Sequence, residues 1–192
     1  MASQIVEHAP SDRARGSASS PFKLRNYYLV RAGVAALWVA AAFTVGRASP
    51  LAAAVLLIAY PAWDAIANLI DVSRNGGVAR NRPQALNIVV SGITAAAVAT
   101  VIANPHAVLG VFGAWASLAG LLQLATGVRR WKSGAQWAMI LSGAQSALAG
   151  GFFIKQAFGS AVPGIADIAP YAAFGAFYFA VSGFSLLLRR AA

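Results

Sequence analysis

The sequence predicts an all-α protein that spans a membrane six times, and three observations carry the prediction. Six apolar stretches of roughly 20 residues recur along the chain, each as long as a helix needs to cross a bilayer's hydrocarbon core. The breaks between them are short and gather Gly, Pro, Asn and Arg, the residues that punctuate helices. The composition is 59% hydrophobic and 10% charged over 192 residues, whereas a soluble domain carries about a quarter charged residues. Alanine and glycine together make up about a third of the chain. Lipid gives helices little hydrophobic drive to meet, so small residues that let backbones approach are what makes such bundles cohere.

Residues 1–24 are rich in Ser, Ala, Arg and Pro. They offer too little apolar surface to offset the entropy of ordering, and a disordered cytoplasmic tail is expected there. The membrane domain, residues 25–192, opens with the span Tyr27–Gly46. That span is longer than a signal-peptide core and follows a long leader, which predicts a retained helix. A turn at Arg47–Pro50 leads into the second span, Leu51–Val72. Ser73–Pro83 holds two glycines, a proline and three arginines and reads as a loop. The third span, Gln84–Ala103, ends in the tight turn Asn104-Pro105-His106. The fourth is Ala107–Val128, followed by the basic loop Arg129–Ser133, with the fifth at Gly134–Phe153. A longer link, Ile154–Ile165, precedes the sixth span, Ala166–Leu188, and Arg189-Arg190 follow it.

Charge orients this bundle. Of the 15 basic residues, 13 fall on one side (in the tail or just beyond it, in the second and fourth loops and at the C-terminus), and Arg47 and Lys155 fall on the other. Short loops that hold the Lys and Arg face the cytoplasm, so both termini are expected there. The net charge of +10 is read as orientation charge. Nucleic-acid binding would call for a basic stripe interleaved with exposed aromatics, and no nucleic-acid partner is expected.

The spans repeat in pairs, which predicts three helical hairpins at about 27–74, 84–130 and 134–190. The even spans align without gaps when Trp63, Trp115 and Phe177 are superposed. Asn68, Gly120 and Ser182 then coincide, as do Asp71, Gln123 and Ser185. The odd spans share Ala32-Gly33, Ser91-Gly92 and Ser142-Gly143. With these features the chain resembles the HdeD-like acid-resistance membrane proteins, built from copies of a two-helix domain of unknown function. The likeness is clearest over Leu109–Arg130 (LGVFGAWASLAGLLQLATGVRR) and Gly134–Ile154 (GAQWAMILSGAQSALAGGFFI), and fainter from about Val30 to Arg190. The resemblance implies a small bacterial inner-membrane protein, tied in some members to survival of acid or other stress, and carries over no catalytic residue.

The second span holds the most informative polar residues. Asp64, Asn68 and Asp71 stand at i, i+4 and i+7, on one helical face. Asp64 lies about eight residues from the nearer end of the span, roughly 12 Å below the surface, where a lone charge is expensive. Arg31, about 6 Å inside the first span, is placed to reach Asp71 or Asp64 across a hairpin. Two readings are open. An ion-paired clamp would fix helix rotation, whereas a hydrated carboxylate would make a small transporter or proton-linked channel using Asp64, Asn68 and Arg31. Pro61 removes a helical hydrogen bond just before Asp64, giving either a plain kink or the break that discontinuous transporter helices use. On the fifth span Gly143, Ala147 and Gly151 form a small-xxx-small ridge expected to contact another helix.

Enzyme chemistry is not expected. His8 and His106 are the two histidines and cysteine is absent, so neither a metal cluster nor a Ser-His-Asp arrangement assembles. The glycines form no phosphate loop. No cofactor or metal is expected. The bilayer itself is the expected partner, joined by either a second copy of the chain or another membrane protein.

Overall fold

The computed structural model describes residues 21–74, 76–129 and 137–188. Of the expected tail, residues 1–20 lie outside the described residues, as do Trp131, Lys132 and Arg190, while 21–24 belong to the first helix. That helix, α1 (Pro21–Ala41), widens into a π-helical turn at Ala42–Gly46. The others are α2 (Pro50–Arg74), α3 (Arg82–Val101), α4 (Pro105–Arg129), α5 (Trp137–Ala157) and α6 (Ile165–Leu188), with a 3₁₀ turn at Val78–Arg80. The described residues contain no strand. Among the described residues, five helices are long and apolar enough to cross a membrane. Helix α5 runs to Ala157, four residues into what the sequence assigned to a link.

Helix starts follow the local chemistry of their residues. Ser49 caps α2 through a 3.3 Å bond from Ala52 N–H to its Oγ, with Pro50 in the first helical position. Asn104 and Pro105 do the same for α4, where Ala107 N–H meets Asn104 Oδ1 at 3.1 Å. At α6 the third residue, Asp167, reaches back to the N–H of Gly164 at 2.6 Å, half of a capping box. His106 Nδ1 lies 3.1 Å from the carbonyl of Ala157, one of the orphan acceptors at the end of α5.

Neighbouring helices run antiparallel in a register legible from their contacts. Along α4 and α5, Gly113 meets Ile154, Gly150 meets Ser117, Gly120 meets Ala147 and Gly143 meets Leu124. The backbones nearly touch: a Cβ added at Gly120 would lie 2.4 Å from Ala147 N, and one at Gly143 2.6 Å from Leu124 N. The expected ridge is therefore corrected at one residue. Gly143 and Ala147 are in the interface, but a Cβ on Gly151 would meet nothing within 4 Å, and Gly150 takes its place. At about 3.6 residues per turn a step of seven returns closer to the starting face than a step of eight.

Which helices pack closely also differs from the inferred pairs. The extensive interfaces are α4–α5, α1–α6 and α2–α3, while the consecutive pairs α1–α2 and α5–α6 touch sparingly. The first and last helices thus form a pair laid against a four-helix body, with two thin seams. An apolar core that includes Trp38, Leu57, Leu109, Phe112, Phe153 and Ile168 knits one end of the bundle, near the turns at 47–50 and 158–164. Towards the other end the interior is polar and hollow.

Candidate polar site within the bundle

Three contacts bind the seam between α1 and α2, and they fall in antiparallel register. Tyr27 donates to the carbonyl of Ala67 at 3.3 Å, Arg31 pairs with Asp64, and Trp38 Nε1 donates to the carbonyl of Leu56 at 2.7 Å. The expected ion pair therefore forms, and its partner is Asp64. Asp71, two turns nearer the end of α2, lines the same interior cavity. Arg31 also donates to Tyr27 Oη at 3.0 Å and stacks over the Phe179 ring with its guanidinium carbon 4.3 Å from the centroid. That cation–π contact ties α6 to the cluster.

Asp64 is the hub. Its Oδ1 accepts from Arg31. Its Oδ2 accepts from Asn68 Nδ2 at 3.0 Å, Asn87 Nδ2 at 3.0 Å and Ser91 Oγ at 2.8 Å. Asn68 also bonds back to the carbonyl of Asp64 at 2.7 Å, and Trp115 Nε1 donates to Ser91 Oγ at 3.0 Å. Four donors meet the carboxylate, the cationic one on Oδ1 and three neutral ones crowded on Oδ2. Helices α1, α2 and α3 meet on one carboxylate, and α4 joins through Ser91.

Sequence reasoning found Arg31, Asp64 and Asn68 but missed Asn87, Ser91, Tyr27 and Trp115. A signal for two of these existed. Asn87, Ser91 and Thr94 stand at i, i+4 and i+7 on α3, the spacing that drew attention to α2, and Ser91 and Thr94 are buried. Pro61 is fully buried and α2 continues through it as one helix, so the break that a discontinuous transporter helix would show is absent.

A cavity of about 910 Å³ adjoins this network and is lined by residues of all six helices. Its ends differ in character. Asp71, Gln84, Gln123 and Ser182 line one end, and Phe152, Phe153, Pro170 and Phe174 line the other, where the capping residue Asp167 also stands. Two buried polar atoms of lining residues, Arg31 Nε and Gln84 Oε1, have no hydrogen-bond partner. On the far seam, Tyr178 donates to Gln145 Oε1 at 2.7 Å and Phe153 packs edge-to-face on Tyr171. Among the described residues no group of His, Cys, Asp and Glu could hold a metal ion. No protein-family model, no curated protein and no solved structure matches the chain.

Proposed function

We propose that the chain is a non-enzymatic multi-pass protein of a bacterial cytoplasmic membrane, of the HdeD-like type, that contributes to tolerance of acid or envelope stress. The carrying observation is the occupied carboxylate of Asp64. Paired with Arg31 and bonded by three further donors, it serves as a fastening between helices. The stress role rests on the family resemblance over Leu109–Ile154. Its test is a deletion strain assayed for survival after an acid challenge. Lower survival, restored by the wild-type gene, is the expected result; survival equal to the parent strain removes the stress role.

A second reading, a small transporter or proton-linked channel, is favoured by the 910 Å³ cavity that reaches the cluster. A cavity this size lies at the upper end of the roughly 300–1,000 Å³ usual for small-molecule sites. Reconstitution in proteoliposomes separates the two. Solute or proton flux that disappears in Asp64→Asn would favour transport, and its absence leaves the fastening role in place.

A further inference from the structure

The cavity has an entrance that neither reading uses. Leu148 and Phe152 of α5 and Phe174 of α6 line it, yet they are 76%, 62% and 51% exposed on the outside of the bundle. Large apolar side chains that face both the interior and the exterior mark a mouth. This one sits on the thin α5–α6 seam. Leu148 is the twelfth of 21 residues in α5 and Phe174 the tenth of 24 in α6, so the mouth lies near mid-helix, at the depth of lipid tails. Water-soluble ions do not arrive from that side, whereas apolar chains do. From Asp167 to Ser182 the cavity follows α6 for about 22 Å, enough for a single extended acyl chain.

Inside, the lining grades from aromatic to polar, with Gln84, Gln123 and Ser182 near Arg31 at the polar end. Such amides and hydroxyls bond a neutral hydroxyl or amide head, and a full charge is not called for, because the guanidinium already faces the carboxylate of Asp64. We infer that the α5–α6 seam is the lateral entrance to a binding site for an uncharged single-chain amphiphile. Its hydroxylated head is held at the Arg31–Gln84 end and its tail lies along Phe153, Tyr171 and Phe174. The chemistry is that of a monoacylglycerol. This inference is independent of the stress role and needs no transport.

The test uses the full chain in phosphatidylcholine nanodiscs with a monoacylglycerol that carries a photoreactive diazirine in mid-chain. Phe153 lines the cavity but is buried from the surrounding lipid, so label there or on Tyr171 reports occupancy. The expected result is labelling at these two residues, competed at least tenfold better by unlabelled monoacylglycerol than by the fatty acid or the alkyltrimethylammonium of equal chain length. Ala149→Trp, which fills the cavity from α5, should cut labelling at least fivefold, and Leu118→Trp on the outer face of α4 should not. Label confined to outward residues such as Leu118, or equal competition by a charged analogue, overturns the inference. Both readouts come from the wild-type chain, so they stand even if a variant misfolds.

Discussion

Asp64 collects donors from α1, α2 and α3, and each donor solves part of one problem. A carboxylate inside a membrane costs several kcal/mol unless its charge and lone pairs are met. Arg31 meets the charge, and Asn68, Asn87 and Ser91 meet the lone pairs. Losing one neutral donor leaves the ion pair standing, so Asn87→Ala should lower stability by about 1 kcal/mol, and Ser91→Ala somewhat more because Trp115 also loses its acceptor. Equilibrium unfolding in mixed micelles checks both. Loss of the same size for Val89→Ala, which faces outward on α3, would show that the network contributes nothing specific. The sequence made Asp64, Asn68 and Arg31 legible because polar residues stand out in apolar spans. It did not reveal that Trp115 answers Ser91, since that depends on which helices are neighbours.

At the scale of the helix, the α4–α5 interface depends on missing side chains. Gly120, Gly143 and Gly150 each place backbone against backbone, and the partner residues step by four, three and four along both helices. Gly120→Ala would drive a methyl to 2.4 Å from Ala147 N. Overpacking of this kind costs about 1–3 kcal/mol, and Gly150→Ala should fall in the same range. Gly151→Ala meets open space and should be neutral or slightly stabilising, since alanine favours helix. Thermal unfolding of the three variants decides; equal losses at 150 and 151 would contradict the register. The sequence showed that small residues lined α5, but its four-residue spacing pointed to Gly151 where Gly150 is the one turned inward. An exact four-residue step drifts around a helix, and only contact with α4 selects the face.

At the scale of the molecule, the most closely packed helices are not the pairs that the repeat groups together. The repeat suggested pairs 1–2, 3–4 and 5–6, while the extensive interfaces are α2–α3, α4–α5 and α1–α6. Hairpin connectivity dictates antiparallel direction but not closeness, and six helices around a cavity can share their contacts either way. The helices themselves were legible from apolar length; the cavity was not, because its lining comes from residues unremarkable in each helix alone. The proposed topology has its own check. Reporter fusions at Met1, Val78, Trp131 and Ala192 should report cytoplasm and those at Ala48, Pro105 and Ser160 the opposite side; an outside signal at Ala192 would contradict six spans.

The account as a whole turns on Arg31 and Asp64 as the fastening that holds the α1–α6 pair to the other four helices. A double-mutant cycle measures it directly. Arg31→Ala alone leaves a buried carboxylate without its counter-charge and should cost about 1–3 kcal/mol. Asp64→Ala alone strands the guanidinium and should cost at least as much. The double variant, with both charges gone, should recover part of the loss, giving a coupling of about 1–3 kcal/mol, larger than that of Arg31 with Asp71. Strictly additive losses for Arg31 and Asp64 would contradict the account and leave the α1–α2 seam without its fastening.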